Sequence, residues 1–230
     1  VRGLYAIVDT DALARRGLPV EPFFDAVLAA RPALVQLRDK HGGARATLAL
    51  AQRLAPRADA AGVPFVLNDR VDLAWLSGAA GVHLGQTDLP VGELARLEAR
   101  LPSARRLVVG LSTHTDDELD LALAEPRLDY VAIGPVFSTD SKTGREALAP
   151  TLGVDVLASR AARARRARPG LPVCAIGGLE LARAALVAPV VDLVAVIAAL
   201  LPEQAGAGWT AEVQARAEAL GDAIARTTRP

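Results

Sequence analysis

Short apolar runs of strand length recur eight times along the chain, at residues 4–8, 33–37, 64–67, 81–84, 107–111, 129–133, 172–176 and 192–197. Between them the apolar residues follow helical spacing, as in 44–61, 154–167, 181–187 and a final stretch at 210–226. Strand alternating with helix implies parallel pairing, because a parallel crossover needs about a dozen residues to return. Eight such repeats predict an α/β fold, a closed (β/α)8 barrel of the TIM type. An open doubly wound sheet is the competitor, but its Gly-x-Gly-x-x-Gly turn is missing after the first strand, where Val8 leads into Asp9-Thr10-Asp11. No linker-like or low-complexity segment divides the sequence, so a single domain over 1–230 is expected, with Gly206-Ala207-Gly208 as the loop into the last helix.

Composition narrows the function. The 26 basic and 26 acidic residues cancel, which gives no electrostatic footprint for nucleic acid or membrane. The arginines between Arg160 and Arg168 have the spacing of a solvated helix face. Cys174 is the single cysteine, which excludes an intrachain disulfide and suits a cytoplasmic location; its strand context suits a packed thiol. No apolar run approaches the roughly 20 residues of a membrane span, and the N-terminus lacks a signal-peptide pattern. The expected partners are phosphorylated small molecules, with a homo-oligomer left open.

In such barrels the chemistry sits at the carboxyl ends of the strands. The second strand ends Gln36-Leu37-Arg38-Asp39-Lys40, and a period of two places Gln36, Arg38 and Lys40 on one face and Leu37 on the other. Two cations aimed at a barrel mouth need an anion; the alternative is an edge strand with a solvated face. Asn68-Asp69 and Asp88 end the third and fourth strands. Converging carboxylates beside a phosphate site suit Mg2+, although each aspartate could equally cap the helix that follows it. His83, inside its strand, reads as a satisfied core histidine. Ser112 follows Gly110 toward the mouth, and Thr115 with Glu118 fits a capping box. His114 between them reads as a loop residue. No Gly-x-Ser-x-Gly elbow or positioned Ser-His-Asp set is present, which disfavours nucleophilic hydrolysis. After the sixth strand, Gly134-Pro135 opens a stretch with Ser138, Thr139, Asp140, Ser141, Lys142 and Gly144. Glycines, hydroxyls and one lysine can hold a phosphate, or simply form a polar loop. Gly177-Gly178 after the seventh strand suggests a second anion site.

In order and spacing, Gln36 to Lys40, Asn68-Asp69, the run from His83 to Asp88, Gly110-Leu111-Ser112, the run from Gly134 to Lys142 and Ile176-Gly177-Gly178 together resemble the thiamine-phosphate synthase family along nearly the whole chain. That resemblance implies a transferase that joins hydroxymethylpyrimidine diphosphate to a thiazole phosphate, giving thiamine phosphate and pyrophosphate. It implies that Gln36, Leu37, Arg38, Asp39, Lys40, Asn68, Ser112 and Lys142 hold the pyrimidine diphosphate, with Arg38, Lys40, Lys142 and Ser112 acting in catalysis. Asp69 and Asp88 would hold Mg2+, and Thr139, Asp140, Ser141, Gly178, Ile197 and Ala198 would hold the thiazole phosphate. The chain departs from the family at Ser138, where a proline is usual, at Ser141, where a threonine is usual, and at Ala198, where a serine is expected. Ala198 removes one side-chain donor, a loss of about 1–3 kcal/mol in a phosphate site. Two rivals are a thiazole tautomerase of the same fold and a non-catalytic phosphate-binding barrel. The tautomerase typically has a histidine where this chain has Pro135.

Overall fold

The computed structural model describes residues 1–100, 105–138, 150–203 and 205–227. Its eight parallel strands are β1 (Gly3–Asp9), β2 (Leu34–Arg38), β3 (Phe65–Asn68), β4 (Gly81–Leu84), β5 (Val108–Thr113), β6 (Tyr130–Ile133), β7 (Val173–Ile176) and β8 (Leu193–Val196). They pair in sequence order, and β8 closes on β1 through Gly3 opposite Leu193. Helices α1 (Thr10–Ala14), α2 (Val20–Ala29), α3 (Ala44–Ala61), α4 (Val71–Ser77), α5 (Val91–Arg100), α6 (Asp116–Ala124), α7 (Gly153–Ala167), α8 (Leu181–Val187) and α9 (Trp209–Thr227) alternate with the strands. A 3₁₀ turn, Ala198–Leu200, follows β8. The expected (β/α)8 barrel is the fold found.

Alternation along each strand sorts the apolar residues into two bodies. Leu4, Ala6 and Val8 face outward with Val35, Leu37, Phe65 and Leu67, into a core shared with Phe23, Phe24 and Leu54 of the helices. Tyr5 and Ile7 face inward with Leu34, Val66, Tyr130, Cys174 and Leu193. Each large side chain so buried contributes roughly 1.5–3 kcal/mol of transfer free energy, which is why alternate positions hold their facing.

The strands run past the apolar runs that announce them. The ladder pairs Asp9 with Arg38, Asn68 with His83 and Thr113 with Ile133. Backbone pairing does not require an apolar side chain, so polar residues at the carboxyl ends sit on regular strand. The amino-terminal ends carry a repeated clamp. Asp129, just before β6, donates its N–H to the Val109 carbonyl and accepts the Val109 N–H on its carboxylate at 2.9 Å. Asp192, just before β8, does the same with Val173. Arg127 adds an ion pair to Asp129 at 2.8 Å and another to Glu98. Of the α7 arginines, Arg160 pairs with Asp116 and Arg163 with Asp120 on α6; Arg160 is largely covered, so the face expected to be solvated is partly packed against its neighbour.

Gly110 shows how tightly the interior is fitted. A Cβ there would lie 2.0 Å from Cζ of Tyr130, whose ring is held by Tyr5 edge-on and by His83 in a stack. Gly110→Ala is therefore expected to destabilise the fold by about 1–3 kcal/mol through overpacking. Urea unfolding checks this; an unchanged midpoint would mean that the ring has room to move.

Candidate active site

One cavity opens at the carboxyl ends of the strands. Gln36, Arg38, Lys40, Asn68, Asp69, Ser112 and Ile197 line it, over an inner surface that includes Tyr5, His83, Ala132, Cys174 and Ala195. Six polar residues expected from alternation and strand-end position thus converge, although they come from three strands and the loops beyond them. The small side chains of β6, β7 and β8 leave the depth of the cavity open. Burial pushes the Cys174 thiol well above its ordinary range, consistent with a packed, unreactive group.

Each charged side chain in the mouth is oriented by a neighbour. Asp9 is 4% exposed and divides its carboxylate: Oδ1 accepts the Ala12 N–H at 2.8 Å to cap α1, and Oδ2 pairs with Arg38. Arg38 is thereby held by the adjacent strand. Lys40 Nζ lies 2.7 Å from Asp69 Oδ2. Asp69 has a left-handed φ of 63°, uncommon outside glycine, and its N–H donates to the His83 carbonyl at 2.8 Å. Burial pushes the Asp69 carboxyl up to about 6; Lys40 opposes this, and Asp88, within hydrogen-bonding reach, adds to it. Asp88 also accepts the Gly85 N–H at 2.6 Å. Neither aspartate caps a helix through its side chain as one reading allowed: α4 has Arg70 at its cap position, and Asp88 lies three residues before Val91.

Two residues of the proposed diphosphate-binding run direct their side chains elsewhere, which leaves the backbone for any contact they make. Leu37 is 1% exposed and faces the helices, as its alternation required. Asp39 uses its carboxylate on Thr10 at 2.9 Å, Thr47 at 2.6 Å and the Gly42 N–H at 3.0 Å, which organises the loop after β2. His83 is buried and satisfied as expected, yet it also lines the cavity. The structure adds Asp9, Tyr5 and Tyr130, which the sequence reading did not single out. A tyrosine on an inward-facing strand position was the available signal, since a buried hydroxyl requires a partner. Thr115 caps α6 as the capping box required, while Glu118 reaches the His114 N–H at 2.6 Å and its ring at 3.1 Å.

The expected second anion site is described only in part, because Thr139, Asp140 and Ser141 lie outside the described residues, as does Lys142 of the diphosphate set. What is described is a braced pair of loops. The Val136 N–H donates to the Ile176 carbonyl at 2.9 Å and the Phe137 N–H to the Gly177 carbonyl at 3.1 Å. Gly178, at φ 62°, has no room for a Cβ, which would lie 2.3 Å from the Ser138 carbonyl oxygen. Arg183 donates to the Gly178 carbonyl at 3.0 Å and lies 4.8 Å over the Phe137 ring. Gly178 and Ala198 do not line the mouth cavity, whereas Ile197, immediately before the 3₁₀ turn, does.

Among the described residues no group of three or more metal-ligating side chains occurs, and no helix is long and apolar enough to cross a membrane. Two adjacent carboxylates still fit a hard divalent cation, which takes one or two protein carboxylates and completes its shell with water and phosphate oxygens. Burial and the neighbouring Asp88 both raise the Asp69 carboxyl, so a positive charge beside the pair is favoured, as the contact with Lys40 shows.

A closed barrel with cations, carboxylates and a serine at its carboxyl-end mouth defines a barrel enzyme. The sequence pattern of the family described as "Thiamine monophosphate synthase" matches residues 4–200. The chain belongs to that family, and its relatives named thiamine-phosphate synthase are transferases. It is 34% identical to thiamine-phosphate synthase of Leptospira biflexa (strain Patoc 1) over 204 residues, covering 87% of this chain and 90% of that protein. It is 40% identical to the enzyme of the same name from Koribacter versatilis (strain Ellin345) over 203 residues, 86% and 88% of the two chains. The solved thiamine phosphate pyrophosphorylase of Pyrococcus furiosus superposes with a TM-score of 0.78 at 26% identity, covering 99% of this chain and 97% of that one. A 2-keto-3-deoxy-6-phosphogluconate aldolase from Zymomonas mobilis, at 16% identity and a TM-score of 0.65, shares the fold.

Proposed function

We propose that the chain condenses hydroxymethylpyrimidine diphosphate with a thiazole phosphate, releasing pyrophosphate and forming thiamine phosphate. The observation that carries this reading is the convergence of Arg38, Lys40, Asn68, Asp69 and Ser112 on one cavity of a family member. Arg38 and Lys40 face the position of a bound diphosphate and stabilise the charge that grows on it as the bond to the pyrimidine methylene breaks. Asn68 and Ser112 supply hydrogen bonds to the same group, and Lys142 is assigned there by the family resemblance. Thr139, Asp140, Ser141, Gly178, Ile197 and Ala198 are assigned to the thiazole phosphate on the same basis. The aminopyrimidine ring stabilises the cation left at its methylene carbon, and the thiazole nitrogen attacks that carbon. No protein nucleophile is required, in keeping with a cavity whose one thiol is buried and strongly protonated.

Asp69 and Asp88 would hold Mg2+, which when bound supplies further neutralisation of the diphosphate. The chain's own part is to keep these carboxylates together: the His83 carbonyl fixes the Asp69 turn, and the Gly85 N–H fixes Asp88. The deciding experiment measures pyrophosphate release from both substrates, with and without magnesium, alongside mass detection of thiamine phosphate. Magnesium-dependent formation of both products is the expected result. A folded protein that binds the substrates and releases nothing would instead be a phosphate-binding barrel.

A further inference from the structure

A continuous line of hydrogen bonds crosses the barrel interior beneath the mouth. Gln36 Nε2 on β2 donates to the Tyr5 hydroxyl on β1. Tyr5 Oη lies 2.9 Å from Tyr130 Oη on β6, Tyr130 Oη lies 2.8 Å from His83 Nδ1 on β4, and His83 Nε2 lies 2.9 Å from Ser112 Oγ on β5. The three rings are packed against one another. Tyr5 meets Tyr130 edge-on at 5.9 Å and His83 stacks on Tyr130 at 5.6 Å, all three being buried.

The bookkeeping of protons gives this line a direction. Each tyrosine hydroxyl has one proton to donate. An amide nitrogen only donates, so Tyr5 accepts from Gln36 and gives its own proton to Tyr130. Tyr130 then gives its proton to His83 Nδ1. In the neutral imidazole, a ring that accepts at Nδ1 carries its proton on Nε2, and that N–H donates to Ser112 Oγ. The Ser112 hydroxyl proton is therefore directed away from the ring, on a side chain that lines the cavity. Exchanging the nitrogen and oxygen of Gln36 would reverse every link and turn the Ser112 proton back into the ring.

We propose that Gln36, Tyr5, Tyr130, His83 and Ser112 form a one-directional relay, in which Tyr5 and Tyr130 are positioning residues that hold His83 as its Nε2–H tautomer and so present the Ser112 proton to acceptor oxygens in the cavity. The tautomer is a property of the free protein. Only its value for catalysis rests on the reading of the cavity as a diphosphate site.

The test is the ring-nitrogen spectrum of protein labelled with 15N-histidine. The chain has three histidines, and loss of a signal in His41→Gln and in His114→Gln assigns the third to His83. The wild-type ring is expected as a single neutral tautomer with its proton on Nε2. Gln36→Glu, read at about pH 8 and above the carboxylate range, replaces the donor by an acceptor and is expected to move the proton to Nδ1 of a ring two hydroxyls further along the line. Tyr5→Phe cuts the relay and is expected to give both tautomers. A wild-type ring protonated on Nδ1 or on both nitrogens overturns the proposal, as does an unchanged tautomer in either variant. Tyr5→Phe removes a single hydroxyl, so a result remains if Gln36→Glu fails to fold. Kinetics supply a separate arm: Tyr130→Phe and Ser112→Ala are expected to be non-additive, the second change costing little once the first is made. Full additivity would remove the relay from catalysis. An inactive wild type would count against the proposed reaction and leave the tautomer result standing.

Discussion

Asp69→Asn is expected to lower magnesium-dependent pyrophosphate release by about 10²–10³-fold, the scale on which a single stabiliser of transition-state charge acts. Asparagine is the informative replacement because residue 69 sits at φ 63°, which asparagine tolerates and most residues do not. The turn survives while the negative charge is lost. The same residue sets a pH dependence. Its carboxyl titrates at about 6, raised first by burial, with Asp88 adding to the rise and Lys40 opposing it. The protonated form cannot bind a cation, so at subsaturating magnesium the rate should climb as pH rises through about 6. Initial rates against pH at two magnesium concentrations test this. A profile flat from pH 5 to 8 at about 0.1 of saturation would separate Asp69 from the metal.

Lys40→Ala should reduce turnover by about 10²-fold while leaving the fold almost as stable as before. The side chain is 34% exposed and its pair with Asp69 is partly solvated, so its contribution to stability is at most about 1 kcal/mol. Turnover and unfolding midpoint should therefore separate. Because Lys40 holds the Asp69 carboxyl down, its removal should also shift the rise in the pH profile to higher pH. A variant with near-normal rates, or one whose lost activity tracks a lost fold, would exclude Lys40 from the charge-stabilising set.

What could be read in advance was whatever depends on neighbours along the chain. Alternation within 34–38 placed Gln36 and Arg38 at the mouth and Leu37 outside it, and the count of apolar runs closed the barrel. The same logic placed Ser112 from Gly110. Contacts across the interior gave no such signal. Tyr5 and Tyr130 are 125 positions apart, and His83 and Tyr130 are 47 apart; their meeting depends on barrel closure rather than on any spacing. Asp9 was passed over because nothing local marks an aspartate after an apolar run as the partner of an arginine 29 positions on. Asp39 illustrates the reverse case. It was assigned to the substrate by the family resemblance, and the structure adds that its carboxylate organises the loop after β2.

The paired clamps of Asp129 and Asp192 have a bearing on how this protein can change over time. They fasten the strands where the chain enters them, at the end opposite the cavity, and Arg127 reinforces one of them. The pairings of β5 with β6 and of β7 with β8 are thus reinforced away from the residues that would meet a ligand. Mutational drift at the carboxyl ends of the strands, as at position 198 just past β8, can be sampled against a scaffold reinforced at the opposite end. A lineage carrying such clamps is free to try new substrates before it has to find new ways to fold.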